Sequence, residues 1–233
     1  MQPRKISLIQ LNVAVLMWGG TAMFAKGIAL PVPHIICLRS LIGAAALAAM
    51  LAALRRPLKA NGGRHYVLMV TLGLLLCAHW LTYFKALKVS TAAVAILALH
   101  TYPVVTAIIE PFLFSERLRK ADVLLAVVVF IGIVIMTPAM SLSDATTQGI
   151  VLGVISGLFF MARNLLTRKY VHQYTGSVLM FWQMLVTGLV LVPFYAAFFG
   201  YLIHDEALSL RTVVGGSIIL AAIAFETVRS VRA

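Results

Sequence analysis

The chain is a succession of apolar stretches long enough to cross a lipid bilayer, and no other feature restricts its fold as strongly. A bilayer-crossing helix needs about 20 mostly apolar residues. Eight stretches meet that measure: about 6–30, 34–54, 66–84, 91–114, 121–140, 148–167, 176–202 and 212–228. Hydrophobic residues make up 62% of the chain and charged ones only 11%, against about 25% charged in an average soluble domain. With a mean hydropathy of +1.00, the chain cannot cover its own surface in water, so lipid must be the solvent for most of it. The connections are short and rich in Pro, Gly or charge, as at Pro31-Val32-Pro33 and Arg55-Arg56-Pro57. No soluble domain, long linker or low-complexity tract interrupts them. The expected fold is an all-α membrane protein, a polytopic bundle of about eight transmembrane helices.

The net charge of +12 does not point to nucleic acid. Lys and Arg sit in short clusters between apolar stretches, with no run long enough for a basic tail or a groove-reading helix. Such clusters report topology instead, because short cytoplasmic loops hold the excess of Lys and Arg. Arg4 and Lys5, then Arg55, Arg56, Lys59 and Arg64, then Arg117, Arg119 and Lys120, then Arg168 and Lys169, and last Arg229 and Arg232 all fall on one side if the N-terminus is inside. The connection 141–148 has no Lys or Arg, and Arg211 is alone in the seventh; Lys85 and Lys88 run against the pattern. Both termini are expected to be cytoplasmic in a multi-pass protein of the cell membrane. The stretch 6–30 exceeds the roughly 7–15-residue apolar segment of a removable leader, is interrupted by Trp18-Gly19-Gly20, and reads as a span.

The usual signals of metal and nucleotide chemistry are absent. Cys37 and Cys77 both lie inside apolar stretches and read as small buried hydrophobes. There is no CxxC, no HExxH and no GxGxxG between a strand and a helix, so no cofactor or metal is expected.

Transporters are often built from two inverted halves, and a faint internal echo is present. Phe114-Ser115-Glu116-Arg117-Leu118 leads into the stretch near Asp122, and His204-Asp205-Glu206-Ala207-Leu208 into the one near Thr212. Pro103 and Pro193 each lie thirteen residues before those glutamates.

Here the residues carry a resemblance. Trp18-Gly19, Arg39, Tyr83-Phe84-Lys85-Ala86-Leu87-Lys88, Ser90-Thr91-Ala92-Ala93-Val94-Ala95, Pro103, Glu116-Arg117-Leu118 and Gly132 occur in the order and spacing of an EamA-type transporter of the drug/metabolite transporter superfamily. In that family ten spans form two inverted five-span repeats. The resemblance implies a first repeat over 1–140 and a shortened second repeat of three spans over 141–233. Gly149–Tyr170, Phe181-Trp182-Gln183 to Pro193, and Glu206–Glu226 are similar to the family's sixth, seventh and tenth spans. The eighth and most of the ninth, which help wall the central cavity, have no counterpart. Because two spans are lost, the last helix still ends on the basic side.

Ionisable residues within spans are costly and become functional candidates by default. His79, Trp80 and Tyr83 occupy one span, with residues 79 and 83 on a shared face; His100, Tyr102 and Glu110 occupy the next. A neutral imidazole can bind a polar solute or relay a proton, or it can simply hydrogen-bond a neighbouring helix. Two histidines on adjacent spans with aromatics beside them favour a cavity, with Trp18 as a further lining residue. His79, His100 and Glu110 are the proton-coupling candidates, although pairing with an interfacial Lys or Arg accounts better for Glu110, whose position is shallow. Lys26, Arg39 and Lys85 near span ends read as snorkelling to headgroups, and Arg163-Asn164 as marking the inner end of its span. Glu116 and Glu206 offset helix N-terminal dipoles.

These features favour a secondary transporter of a small amphipathic metabolite, working by alternating access. The resemblance implies amino acids or related compounds, exported. The alternatives are a transport-inactive remnant, a transporter that works only as a homodimer whose partner replaces the missing wall, or an intramembrane enzyme using His79, His100 and Glu110.

Overall fold

The computed structural model describes residues 27–59, 62–115, 117–137, 141, 143–170 and 172–204, with residues 195–204 as helix backbone only. All regular structure among the described residues is helical. The elements are α1 (Val32–Ala53), α2 (Gly63–Val89), α3 (Ala92–Leu99), α4 (Tyr102–Phe114), α5 (Lys120–Met136), α6 (Ala145–Tyr170) and α7 (Gly176–His204). Among the described residues, five segments are long and apolar enough to span a membrane: Val32–Ala53, Gly63–Val89, Ala92–Phe114, Ala145–Tyr170 and Gly176–Phe194. The 17 residues of α5 extend about 26 Å and form the helical part of the stretch expected at 121–140. The chain is therefore a polytopic helical membrane protein. The stretch 212–228 and most of 6–30, with Trp18, lie outside the described residues, as do Lys26, Glu116 and Glu206.

The helix ends follow local chemistry. Prolines at the start of α1 fix φ where the first N–H groups need no partner. Its C-terminus closes by Arg55 N–H on Ala52 O at 3.0 Å and Arg56 N–H on Leu51 O at 2.9 Å. Arg55 holds φ 51° there, in the left-handed position that glycine usually takes. The one difference from the expected spans is at 91–114, which is two helices rather than one. Pro103 lies in the first turn of α4, and a proline can neither donate to the carbonyl four residues back nor fit beside it. Pro193, its apparent counterpart in the internal echo, sits instead in the interior of α7.

Two compact units emerge, residues 1–30 with 82–157 and residues 31–81 with 158–233. In the first unit, α6 lays three glycines along α3. A Cβ on Gly149 would stand 2.3 Å from Ser90 Cβ, one on Gly153 2.6 Å from Ala98 Cβ, and one on Gly157 2.9 Å from Leu99 O. Spaced four apart, these glycines let two helix backbones approach as closely as membrane helices can. The numbering rises together on both helices, so they run parallel. Alternating spans require this of the fourth and sixth.

In the second unit, α1 packs against α7. A Cβ on Gly43 would meet Met184, one on Gly188 would meet Leu41, and the Cys37 thiol reaches Gly188 O at 3.5 Å. Here the numbering runs in opposite senses, as alternation requires for the second and seventh spans. The first half of α2 runs alongside α7, where Thr187 Oγ1 donates to Gly73 O at 3.0 Å. A core of Ala44, Leu51, Met69, Leu72, Val178, Leu179 and Phe181 closes the loop-proximal end of this unit.

Candidate functional site

The interrupted segment is the first notable feature: its backbone stays right-handed at His100 (φ −70°, ψ 11°) and Thr101 (φ −72°, ψ −19°), tightening to a bond from Thr101 N–H to Ala98 O at 3.3 Å, while Pro103 cannot donate to the carbonyl four residues back. At the break, His100 and Thr101 turn their side chains back on the helix they end. His100 Nδ1 lies 2.7 Å from Ile96 O, and Thr101 Oγ1 donates to Ala98 O at 2.9 Å. A carbonyl only accepts, so Nδ1 carries the proton, and in the neutral ring Nε2 is the acceptor. The His100 ring is exposed, with the Tyr102 ring 6.2 Å away. The carbonyl of Leu99, to which Pro103 cannot donate, faces the α6 backbone at Gly157. The break thus gathers an imidazole, a phenol and the Leu99 carbonyl that Pro103 cannot serve. Tyr83 belongs to the same unit, is 6% exposed, and sets its ring edge-on to Phe84 at 5.9 Å. Glu110 is partly buried on α4.

His79 and Trp80 belong to the second unit and face different helices. His79 is 2% exposed and stacks on Phe160 of α6 with ring centroids 4.8 Å apart. Trp80 is covered by the Arg39 guanidinium of α1, 4.2 Å from its ring centroid. Arg39 therefore spends its charge on an aromatic face inside the unit, where snorkelling was expected. Arg163 differs from expectation in the same way. Its Nε donates to Gln183 Oε1, Nη1 to Asn164 Oδ1 at 3.3 Å, and Phe160 lies 5.7 Å from the guanidinium carbon. It faces α7 rather than marking the end of α6. The physical reason is Gln183, 1% exposed, whose amide oxygen has no better donor in an apolar helix.

Of the residues singled out by sequence, the structure brings His100 and Tyr102 together at the break and turns His79 and Trp80 of α2 to different neighbours, Phe160 and Arg39. Sequence reasoning passed over Gln183 and Thr187, both buried. It also passed over the glycine stripe Gly149-Gly153-Gly157. Both signals were legible, one as an amide in an apolar run and the other as a four-residue repeat of glycine. Among the described residues, no group of three His, Cys, Asp or Glu side chains could hold a metal ion.

The model of the EamA-like transporter family matches residues 5–137. The uncharacterized transporter YxxF of Bacillus subtilis (strain 168) is 22% identical over 195 residues, covering 82% of this chain and 62% of that relative. The chain thus spans about three fifths of the length of the curated relative it matches. A solved structure described as "Crystal structure of protein" is similar with a TM-score of 0.42 and 19% identity, covering 91% of this chain and 96% of that one. With more than half of its length matched by the family model, this multi-pass membrane protein belongs to the EamA-like transporter family.

Proposed function

We propose that the chain is a secondary transporter that exports a small organic solute, an amino acid or a related metabolite, across the cytoplasmic membrane by alternating access. The observation that carries this reading is the break at His100–Thr101 within the spanning segment Ala92–Phe114. Transporters of inverted-repeat type place solute sites where a helix is interrupted, because backbone carbonyls that lose their helical donor can meet the polar groups of a substrate, and Pro103 takes that donor from Leu99 O. The proposed repeats are 1–140 and 141–233, with both termini cytoplasmic. The proposed lining is Trp18, His79, Trp80, Tyr83, His100 and Tyr102, with His79, His100 and Glu110 as the proton-coupling groups.

The test is flux of labelled amino acids in proteoliposomes carrying an imposed proton gradient. The double change His79→Ala with His100→Ala is expected to abolish uptake while leaving membrane insertion intact. Flux that survives it makes these histidines packing residues and removes the cavity assignment.

A second form of the reading is that a homodimer carries out transport, a partner copy supplying the wall that the family's eighth and ninth spans form and that the resemblance implies is missing from the second repeat. Hydrocarbon is a poor solvent for polar groups left on such a flank, and two-fold pairing is the commonest way to cover one. Cross-linking in native membranes separates a dimer from a monomer.

A further inference from the structure

The described residues of the second unit contain no Asp or Glu. Six of its cations, Arg55, Arg56, Lys59, Arg64, Arg168 and Lys169, lie in or beside the two connections α1–α2 and α6–α7. These connections meet around a cavity of about 170 Å³, room for several water molecules. Arg56 and Lys59 line it from one connection, Gln173 and Thr175 from the other, with Tyr174 and Val178 as a less polar wall. Among the described residues, the side chains of Arg56, Lys59, Gln173 and Thr175 are engaged in no hydrogen bond or ion pair. The chain reaches the cavity through the turn at Arg55, which holds the left-handed φ of 51° that L-residues seldom adopt.

The depth of the cavity is marked by aromatic residues. Trp182 Nε1 donates to Leu58 O at 2.8 Å, one residue from Lys59, and Tyr66 sets its ring edge-on to the indole at 5.4 Å. Tyr174 in the wall is met edge-on by His65 at 5.6 Å. Rings with one apolar and one polar end concentrate at the level of lipid headgroups. Two cations, an amide and a hydroxyl lining one cavity at that depth, with no carboxylate among the unit's described residues to neutralise them, make a cradle for a phosphate group.

We propose that this cavity is a phosphate-binding site, and that the group it takes is the headgroup phosphate of an acidic membrane lipid. The test is native mass spectrometry of the full chain in detergent, titrated with phosphatidylglycerol, phosphatidylcholine or inorganic phosphate. Phosphatidylglycerol is expected to bind at least about tenfold tighter than phosphatidylcholine, and more weakly as salt is raised. R56Q/K59Q should lose that preference, whereas R117Q/R119Q, in an exposed connection of the other unit, and the charge-preserving R56K/K59R should keep it. A second pair, Gln173→Ala with Thr175→Ala, removes neutral donors and should weaken binding several-fold even if R56Q/K59Q does not fold. Millimolar inorganic phosphate that displaces the lipid supports the anion site and assigns it to the free ion. Equal binding of the two lipids, or equal losses in R56Q/K59Q and R117Q/R119Q, overturns the proposal.

Discussion

One methyl group placed at Gly153 tests the packing that holds the interrupted segment. A Cβ there would stand 2.6 Å from Ala98 Cβ and 3.2 Å from Ala95 O, while carbon pairs prefer about 3.5–4.0 Å. Both neighbours belong to α3, one as backbone and one as a Cβ that cannot rotate away, so α3 and α6 must part by about 1 Å. A gap of that size forfeits a quarter to a half of the dispersion energy along the contact, and overpacking of this kind costs about 1–3 kcal/mol. The gain in helix propensity on replacing glycine by alanine, about 1 kcal/mol, offsets part of it. The net loss for Gly153→Ala is then about 0–2 kcal/mol, or a Tm lower by up to about 8 °C for a chain of this size. Gly132→Ala on α5 is the matched control, because nothing lies within 4 Å of its added Cβ. Propensity acts alone there, and Tm should stay or rise. Thermal unfolding of the detergent-solubilised protein, followed by tryptophan fluorescence, reads both. Ala98→Gly combined with Gly153→Ala removes the opposing methyl and should recover about 1 kcal/mol in the double-mutant cycle. Equal Tm for the Gly153 and Gly132 variants, or no recovery in the double variant, would refute the close approach of α3 and α6.

Two further outcomes follow from the same geometry. Gln183→Leu removes the acceptor of Arg163 Nε and should cost about 0.5–2 kcal/mol in thermal unfolding; Arg163→Met in the same chain should restore much of it, because the guanidinium left without its acceptor is gone, and additive losses would show that the two side chains are not coupled. The Lys and Arg distribution puts Ser143 opposite the basic connections, so a cysteine at 143 should be labelled by an impermeant reagent from outside the cell and one at 59 only after the membrane is opened; the reverse pattern would invert the topology.

The positions of the helices were legible in the sequence because hydrophobic length is a local property. The six expected spans that fall on described residues all occur as helices, their ends displaced by a few residues at Pro, Gly and charged positions. Pro103 even marked where a span divides, but its effect was missed because an apolar run of that length reads as continuous whatever interrupts its hydrogen bonding. The relative directions of neighbouring helices follow from alternation alone. The family, too, could be read from motif order, since no single motif needs a three-dimensional partner to be seen.

What a side chain in a span does could not be read in the same way. His79 and His100 look alike in sequence, each an imidazole in an apolar run. Yet one is buried against Phe160, and the other is exposed, its Nδ1 turned back on Ile96 O at the end of a helix. Arg39 and Arg163 both sit near span ends, where a long stem can carry charge to the headgroups. Trp80 and Gln183 claim them instead, and each is remote in sequence from the arginine it holds. Hydropathy records the average cost of placing a group in lipid, whereas the role of that group depends on the one or two neighbours that repay its lost hydration. Chain position determines which residues enter the membrane; the packing of α2 against α1 and α6, and of α6 against α7, decides which polar groups meet there.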